Sequence, residues 1–188
     1  MKKIAVFASG NGSNFQSVID AIKAGKLAAE IGLVVCDKEE AFVLERAKAE
    51  QVEAFSFSPK NYPSKEAFEM EILEKLRERD IEFIVLAGYM RLIGPTLLQA
   101  YSHRMVNIHP SLLPAFPGKD AIGQAFQARV KLTGVTIHYV DEGMDTGPII
   151  AQRAVPVLDD DTRETLQTRI QETEHEMYPA VLAELFQK

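Results

Sequence analysis

Lys2-Lys3-Ile4-Ala5-Val6-Phe7-Ala8-Ser9-Gly10-Asn11-Gly12-Ser13-Asn14 opens as an apolar run and breaks into a glycine loop. Ile4–Ala8 has the length and composition of a short apolar strand. Gly10 and Gly12 permit a tight turn and a close backbone approach, and about Asn14–Lys23 reads as a helix. A strand feeding a helix through such a loop is the unit of an α/β sheet. Amides at the helix start point toward an anion, and Ser13 and Asn14 add side-chain donors, so the loop suits a phosphate. A plain turn capped by Ser13 or Asn14 is the bland alternative. The dinucleotide fingerprint Gly-x-Gly-x-x-Gly starts at Gly10 but meets Phe15 at its third glycine. Asp37, after the second apolar run, stands where that fingerprint's acidic ribose contact would fall. The P-loop is excluded, because Gly-Lys-Ser/Thr is missing.

The alternation continues outward. Strands are expected at Ile31–Cys36, Val52–Phe57, Phe83–Ala87 and Met105–His109. Helices are expected at Phe42–Glu50, Lys65–Arg79, Thr96–Tyr101 and Ala121–Val130. Lys65–Arg79 is marked by Ser64 as its cap and by Phe68, Ile72 and Leu76 recurring on one face. Val135–Val140 and Ile149–Val157 follow with no room for a helix between them, so one strand near the C-terminal part is expected to run antiparallel. A last helix spans about Thr162–Phe186, with Asp161 and Glu164 at capping-box spacing. Leu166, Ile170, Met177, Val181 and Leu185 form its apolar stripe. The expected fold is therefore a single α/β domain, a mostly parallel twisted sheet with helices on both faces. Ligands of such sheets bind beyond the carboxyl ends of the strands.

Composition bounds the function. The 188 residues are 46% hydrophobic and 26% charged, ordinary for one globular domain. A formal charge of -6 argues against a general nucleic-acid binder. Cys36 is the only cysteine, so no internal disulfide can form, and at a strand end it reads as a small core residue. The N-terminal apolar run is too short for a signal peptide, and no stretch approaches the roughly 20 residues of a membrane span. A cytoplasmic location with no membrane partner is expected.

Asn107-Ile108-His109-Pro110 is the segment that looks most like chemistry. Residues two apart on a strand point the same way, so Asn107 and His109 project together and Ile108 turns into the core. Pro110 ends the strand there. Asp145 lies in Asp141-Glu142-Gly143-Met144-Asp145-Thr146-Gly147-Pro148, a turn-forming loop after a later strand, and loops at neighbouring strand ends can converge. A carboxylate beside an imidazole favours the imidazolium. Imidazolium and carboxamide can both donate to an oxygen gaining negative charge, and the acid can help take a proton from an attacking amine. Singly, a strand-end histidine is more often packed, and an aspartate beside glycine more often shapes a turn. No second histidine or cysteine stands at metal-ligand spacing. His138, sharing a strand face with Thr136, reads as structural or supporting, and His103 as a surface residue.

Taken together, Asn107-Ile108-His109-Pro110-Ser111-Leu112-Leu113-Pro114 and Gly134-Val135-Thr136-Ile137-His138-Tyr139-Val140, continuing to Asp145-Thr146-Gly147-Pro148-Ile149-Ile150-Ala151-Gln152, resemble the two signatures of the folate-dependent formyltransferase family. The pair is specific and fixes the chemistry more firmly than the acceptor. The Ser9–Asn14 loop is similar to the phosphate loop of members acting on a glycinamide ribonucleotide. A tRNA-acting member would be expected to add a basic C-terminal domain, and a formyltetrahydrofolate hydrolase an N-terminal regulatory one. Neither is expected within these residues.

The resemblance implies formyl transfer from 10-formyltetrahydrofolate, with no metal, to the amine of phosphoribosylglycinamide in purine biosynthesis. It implies a phosphate-binding half over about 1–100 and a catalytic, folate-binding half over about 101–188. His109 would stabilise the oxyanion and act as general acid, Asn107 would hold the formyl oxygen, and Asp145 would keep His109 protonated and organise a proton-relaying water. Gly12, Ser13 and Asn14 would bind the acceptor phosphate and Glu174 its ribose hydroxyls, although Glu174 also reads as a solvated helix carboxylate. Met90, Arg91, Leu92 and Ile93, with Asp141, Glu142, Gly143 and Met144, would enclose the pteridine. Lys65 stands where similar proteins carry arginine and would meet the folate's glutamate tail. Lys119-Asp120-Ala121-Ile122 departs from relatives with histidine there. A monomer or homodimer is expected. The alternatives are formyltetrahydrofolate hydrolysis, a nucleotide-binding oxidoreductase using Gly10, Gly12 and Asp37, and a non-catalytic phosphate-binding module.

Overall fold

The computed structural model describes residues 1–188. Its seven strands are β1 (Lys2–Ala8), β2 (Ala29–Cys36), β3 (Ala54–Ser56), β4 (Phe83–Leu86), β5 (Met105–His109), β6 (Leu132–Tyr139) and β7 (Ile149–Pro156). They form one sheet in the order β3-β2-β1-β4-β5-β6-β7. The helices are α1 (Ser13–Lys23), α2 (Phe42–Ala49), α3 (Lys65–Glu78), α4 (Pro95–Ala100), α5 (Ala121–Ala128) and α6 (Arg163–Phe186), with a 3₁₀ turn at Pro59–Asn61.

Alternation along β1 sorts the core into two layers. Ile4, Val6 and Ala8 face α1, α2 and α6, where Phe15, Val18, Val43, Leu166 and Tyr178 complete one cluster. Ala5 and Phe7 face α3 and α4, meeting Phe68, Ile72, Leu76 and Leu97. Burying side chains such as Ile72 and Leu76 stabilises the fold by roughly 1.5–3 kcal/mol each. Ser64 caps α3, accepting from the Ala67 amide at 3.1 Å.

Strands β1 to β5 are parallel, and the chain leaves β1 first toward β2 and β3, then resumes at β4 on its other side. The switch point therefore lies between the carboxyl ends of β1 and β4, where a crevice opens. The one strand of opposite direction is β6: it runs antiparallel to β5, and β7 runs antiparallel to it.

One alternative and two local expectations are corrected. The cap of α1 is Gly12, in the left-handed region at φ 81° and without a side-chain cap bond, so neither Ser13 nor Asn14 caps it. A Cβ on Gly12 would lie 2.5 Å from Val43 Cγ2, so the residue is required both by conformation and by α2 packing. The capping box of α6 is one residue later than expected, Thr162 with Thr165. Asp161 instead accepts from the Leu158 amide and pairs with Arg169, whose hydrogen bond holds the carboxyl far below its usual range. Finally, α4 starts at Pro95 rather than after it, because a first-turn proline has no amide to waste.

Candidate active site

Met105, Asn107 and His109 point to the face of the sheet that carries α3 and α4, but the apolar layer on that face reaches only Met105. Beyond it, β5 and β6 present polar side chains and loops cover them. Antiparallel pairing sets Asn107 opposite His138 and His109 opposite Thr136. It also puts the end of β6, Tyr139, beside Val106 near the start of β5. The loop bearing Asp145 thus leaves the sheet at the far end from His109 and folds back over the face. This differs from the expected meeting of neighbouring strand ends, and the direction of β6 is the reason. A Cβ on Gly147 would sit 1.7 Å from the Tyr139 carbonyl oxygen, so only glycine lets the loop return this closely.

Asp145 itself has φ 57°, a left-handed conformation that aspartate tolerates at modest cost. Its Oδ2 accepts from the Gly118 amide at 2.8 Å and lies 3.5 Å from His109 Nδ1. His109 Nε2 donates to the Phe116 carbonyl at 2.9 Å. The histidine is 6% exposed and both ring nitrogens face oxygen, an arrangement suited to an imidazolium that donates twice.

His138 Nδ1 donates to the Tyr139 carbonyl at 2.7 Å, which leaves Nε2 as an acceptor for the Asn107 amide nitrogen at 3.4 Å. The same Nε2 is 3.8 Å from Asp145 Oδ1. His138 therefore orients the Asn107 carboxamide, leaving its second N–H for a ligand. Asn107, His109 and Asp145 thus meet, the first of them through His138. The sequence reading gave His138 only a supporting place; the register opposite Asn107 is the signal that finds it, and register is invisible without strand direction.

A cleft of about 630 Å³ runs from this cluster to the start of α1. Gly12, Ser13 and Asn14 line its other end. The α1 amides lack a side-chain cap and carry the positive end of the helix. Arg46 donates to the Asn11 carbonyl and side chain, both at 2.8 Å, and fixes the loop. Ser13 Oγ meets His175 Nε2 at 2.9 Å. Burial, aided by Arg46, lowers the pKa of His175 below its ordinary value.

Between the two ends stands Glu174, 7% exposed rather than solvated. Burial lifts its carboxyl to about 7, against an opposing hydrogen bond from Asn14. The Asn14 amide nitrogen reaches it at 3.5 Å, while the buried Asn14 Oδ1 has no partner. An orphaned acceptor beside a carboxylate suits a ligand with hydroxyl donors. Gln167, Gln171 and Arg163 of α6 also line the cleft and were missed, since a mixed helix face gives no sequence signal.

Met90, Arg91, Leu92 and Ile93 form a third wall, facing Gly143 and Met144. Met90, Leu92 and Met144 are 64%, 44% and 56% exposed, an apolar rim suited to a flat ring. The Met90 amide donates to Ser9 Oγ at 2.9 Å and Lys65 Nζ donates to the Leu92 carbonyl at 2.7 Å. Lys65 does not line the cleft. Glu69, 1% exposed, accepts from the Gly94 amide at 2.8 Å, and its burial raises its pKa. Asp141 shapes its own loop, accepting from the Gly143 amide and the Thr146 hydroxyl, while Glu142 is exposed. Asp37 is buried at 4% exposure with both oxygens engaged, Oδ1 by Ser9 and Oδ2 by Arg91. It cannot serve as the ribose contact of a dinucleotide fold.

Known proteins extend this picture. The chain is 58% identical over 185 residues to the phosphoribosylglycinamide formyltransferase of Bacillus subtilis (strain 168), covering 98% of this chain and 95% of that one. The crystal structure of phosphoribosylglycinamide formyltransferase from Bacillus halodurans superposes with a TM-score of 0.97 at 59% identity, over 100% of this chain and 96% of the other. That of glycinamide ribonucleotide transformylase 1 from Geobacillus kaustophilus does so with a TM-score of 0.96 at 64% identity, over 98% of each. Residues 2–182 match the formyl transferase model, and on this agreement of sequence, fold and length the chain belongs to the formyl transferase family.

Proposed function

We propose that this chain transfers the formyl group of 10-formyltetrahydrofolate to the primary amine of phosphoribosylglycinamide, in purine biosynthesis. The observation that carries the reading is that the anion-binding start of α1 and the His109–Asp145 pair open into one cleft, with Glu174 between them. The phosphate sits on Gly12, Ser13 and Asn14, and the ribose hydroxyls donate to Glu174 and Asn14 Oδ1. The pteridine lies on Met90–Ile93 under the 141–144 loop. Lys65 acts on this wall through the Leu92 carbonyl. The high identity to enzymes named for this reaction supports it over the hydrolase and oxidoreductase alternatives.

The amine lone pair attacks the formyl carbon, a C–N bond forms, and the carbonyl electrons move onto oxygen. Asn107 and His109 donate to that oxyanion, His109 exchanging the Phe116 carbonyl for it. The attacking nitrogen sheds its extra proton toward Asp145 through water. Collapse breaks the bond to folate N10, which takes up a proton and leaves as tetrahydrofolate. No cofactor beyond the co-substrate enters these steps. In the decisive assay, the protein is mixed with 10-formyltetrahydrofolate with and without phosphoribosylglycinamide. Tetrahydrofolate and formylated product appear together and only with the acceptor; formate release without it would establish hydrolysis instead.

Glu174 gives a pH prediction. Ribose hydroxyls donate to the ionised carboxylate, so acceptor KM falls as pH rises through about 7. The unliganded fold behaves oppositely. From 4.5 to about 7 the folded state holds a proton that the unfolded chain has released, so stability declines as pH rises. Glu174→Gln should flatten both curves, read by steady-state kinetics and by thermal melts.

A further inference from the structure

Asp37 is a buried charged group for which the proposed reaction has no use. It follows β2 and joins three segments distant in sequence. Ser9, at the end of β1, donates its hydroxyl to Oδ1 at 2.5 Å. Arg91, beyond β4, donates Nε to Oδ2 at 2.8 Å. The same Ser9 oxygen accepts the Met90 amide at 2.9 Å. A single carboxylate thus fixes the Met90 backbone through Ser9 and the next side chain directly. The Ser9 hydroxyl has one hydrogen, and donating it to Asp37 turns the oxygen's lone pairs toward the Met90 amide.

We propose that Asp37 is a positioning residue for the donor site, setting the backbone of Met90–Arg91 at the angle that receives the folate ring. This rests on the reading of Met90–Ile93 as the folate-facing wall. Beyond the burial of Ile93 in the apolar layer, the wall's other side-chain hydrogen bonds come from α3, by Lys65 at Leu92 and Glu69 at Gly94. Its first two residues have no brace besides Ser9 and Asp37 among their side-chain bonds. The phosphate loop is secured separately: the Ser9 amide donates to the Gly88 carbonyl, the Val43 amide to the Gly10 carbonyl, and Arg46 to Asn11. Loss of Asp37 therefore loosens the donor wall and spares the acceptor loop.

The test compares wild type with Asp37→Ala and Asp37→Asn. Asp37→Ala should raise folate KM about tenfold or more, with acceptor KM and kcat each changed less than about threefold. Asp37→Asn keeps an oxygen for the Ser9 hydroxyl and should show a smaller rise. Parallel loss for both substrates, or an unchanged folate KM, overturns the proposal. Amide hydrogen exchange of the wild type with an unreactive reduced-folate analogue tests the underlying reading separately. Protection at Met90–Ile93 sustains it, and no protection there removes it whatever the variants do.

Discussion

Asp145→Asn should lower kcat on the order of 10²- to 10³-fold, the range expected for losing a positioned proton acceptor. The substitution is informative because Asp145 has two duties on one oxygen. Oδ2 anchors the Gly118 amide at 2.8 Å and faces His109 Nδ1 at 3.5 Å. An asparagine placing its carbonyl oxygen at that point keeps the Gly118 bond, and with it the 116–118 loop. It removes the negative charge beside His109 and the carboxylate proposed to receive the amine proton. Circular dichroism and the melting temperature should match wild type while single-turnover formyl transfer slows. Retained turnover with retained fold would strip Asp145 of its chemical role and leave it a loop anchor.

His109→Ala should cost on the order of 10² in kcat, the usual loss when one oxyanion donor is removed. Neither substrate leans on the imidazole in the ground state under this reading, so both KM values should move little. The variant also leaves the Phe116 carbonyl without its donor, so some loosening of the loop is expected beside the chemical loss. His109→Gln separates the two effects. An amide can still donate to Phe116 but carries no positive charge, and it should restore thermal stability without restoring rate. Restoration of both would show that charge on residue 109 is dispensable.

Much of the fold could be read from the chain because its elements are of few kinds. Ile4–Ala8 and Phe83–Leu86 are nearly unbroken apolar runs, and a strand buried on both faces has that composition. Lys65–Glu78 announces itself through Ser64 and the spacing of Phe68, Ile72 and Leu76. What stayed hidden depends on relations between elements. The opposite direction of β6 was expected of some strand, but not its consequence, that His138 faces Asn107 and the Asp145 loop folds back across the sheet. Gly12 reads as a loop residue and is the helix cap, a place kept for glycine by its φ of 81° and by Val43 of α2, which leaves no room for a Cβ. Asp37 looked available to a ligand; its two partners, Ser9 and Arg91, lie 28 and 54 positions away. From composition alone Glu174 also reads as solvated, since composition cannot say which side of a mixed helix lies against α1; only the resemblance singles it out.

On the proposed reading, the hairpin between Tyr139 and Ile149 carries both the proton acceptor and part of the folate-facing wall. Hairpin tips accept insertions and deletions without disturbing the strands beneath them. Here that freedom is curtailed: any change of length that remodels donor selectivity also re-aims the proton acceptor. An engineer seeking altered one-carbon donors should therefore alter side chains at Met90 or Leu92, on the opposite bank, and leave the length of the turn alone.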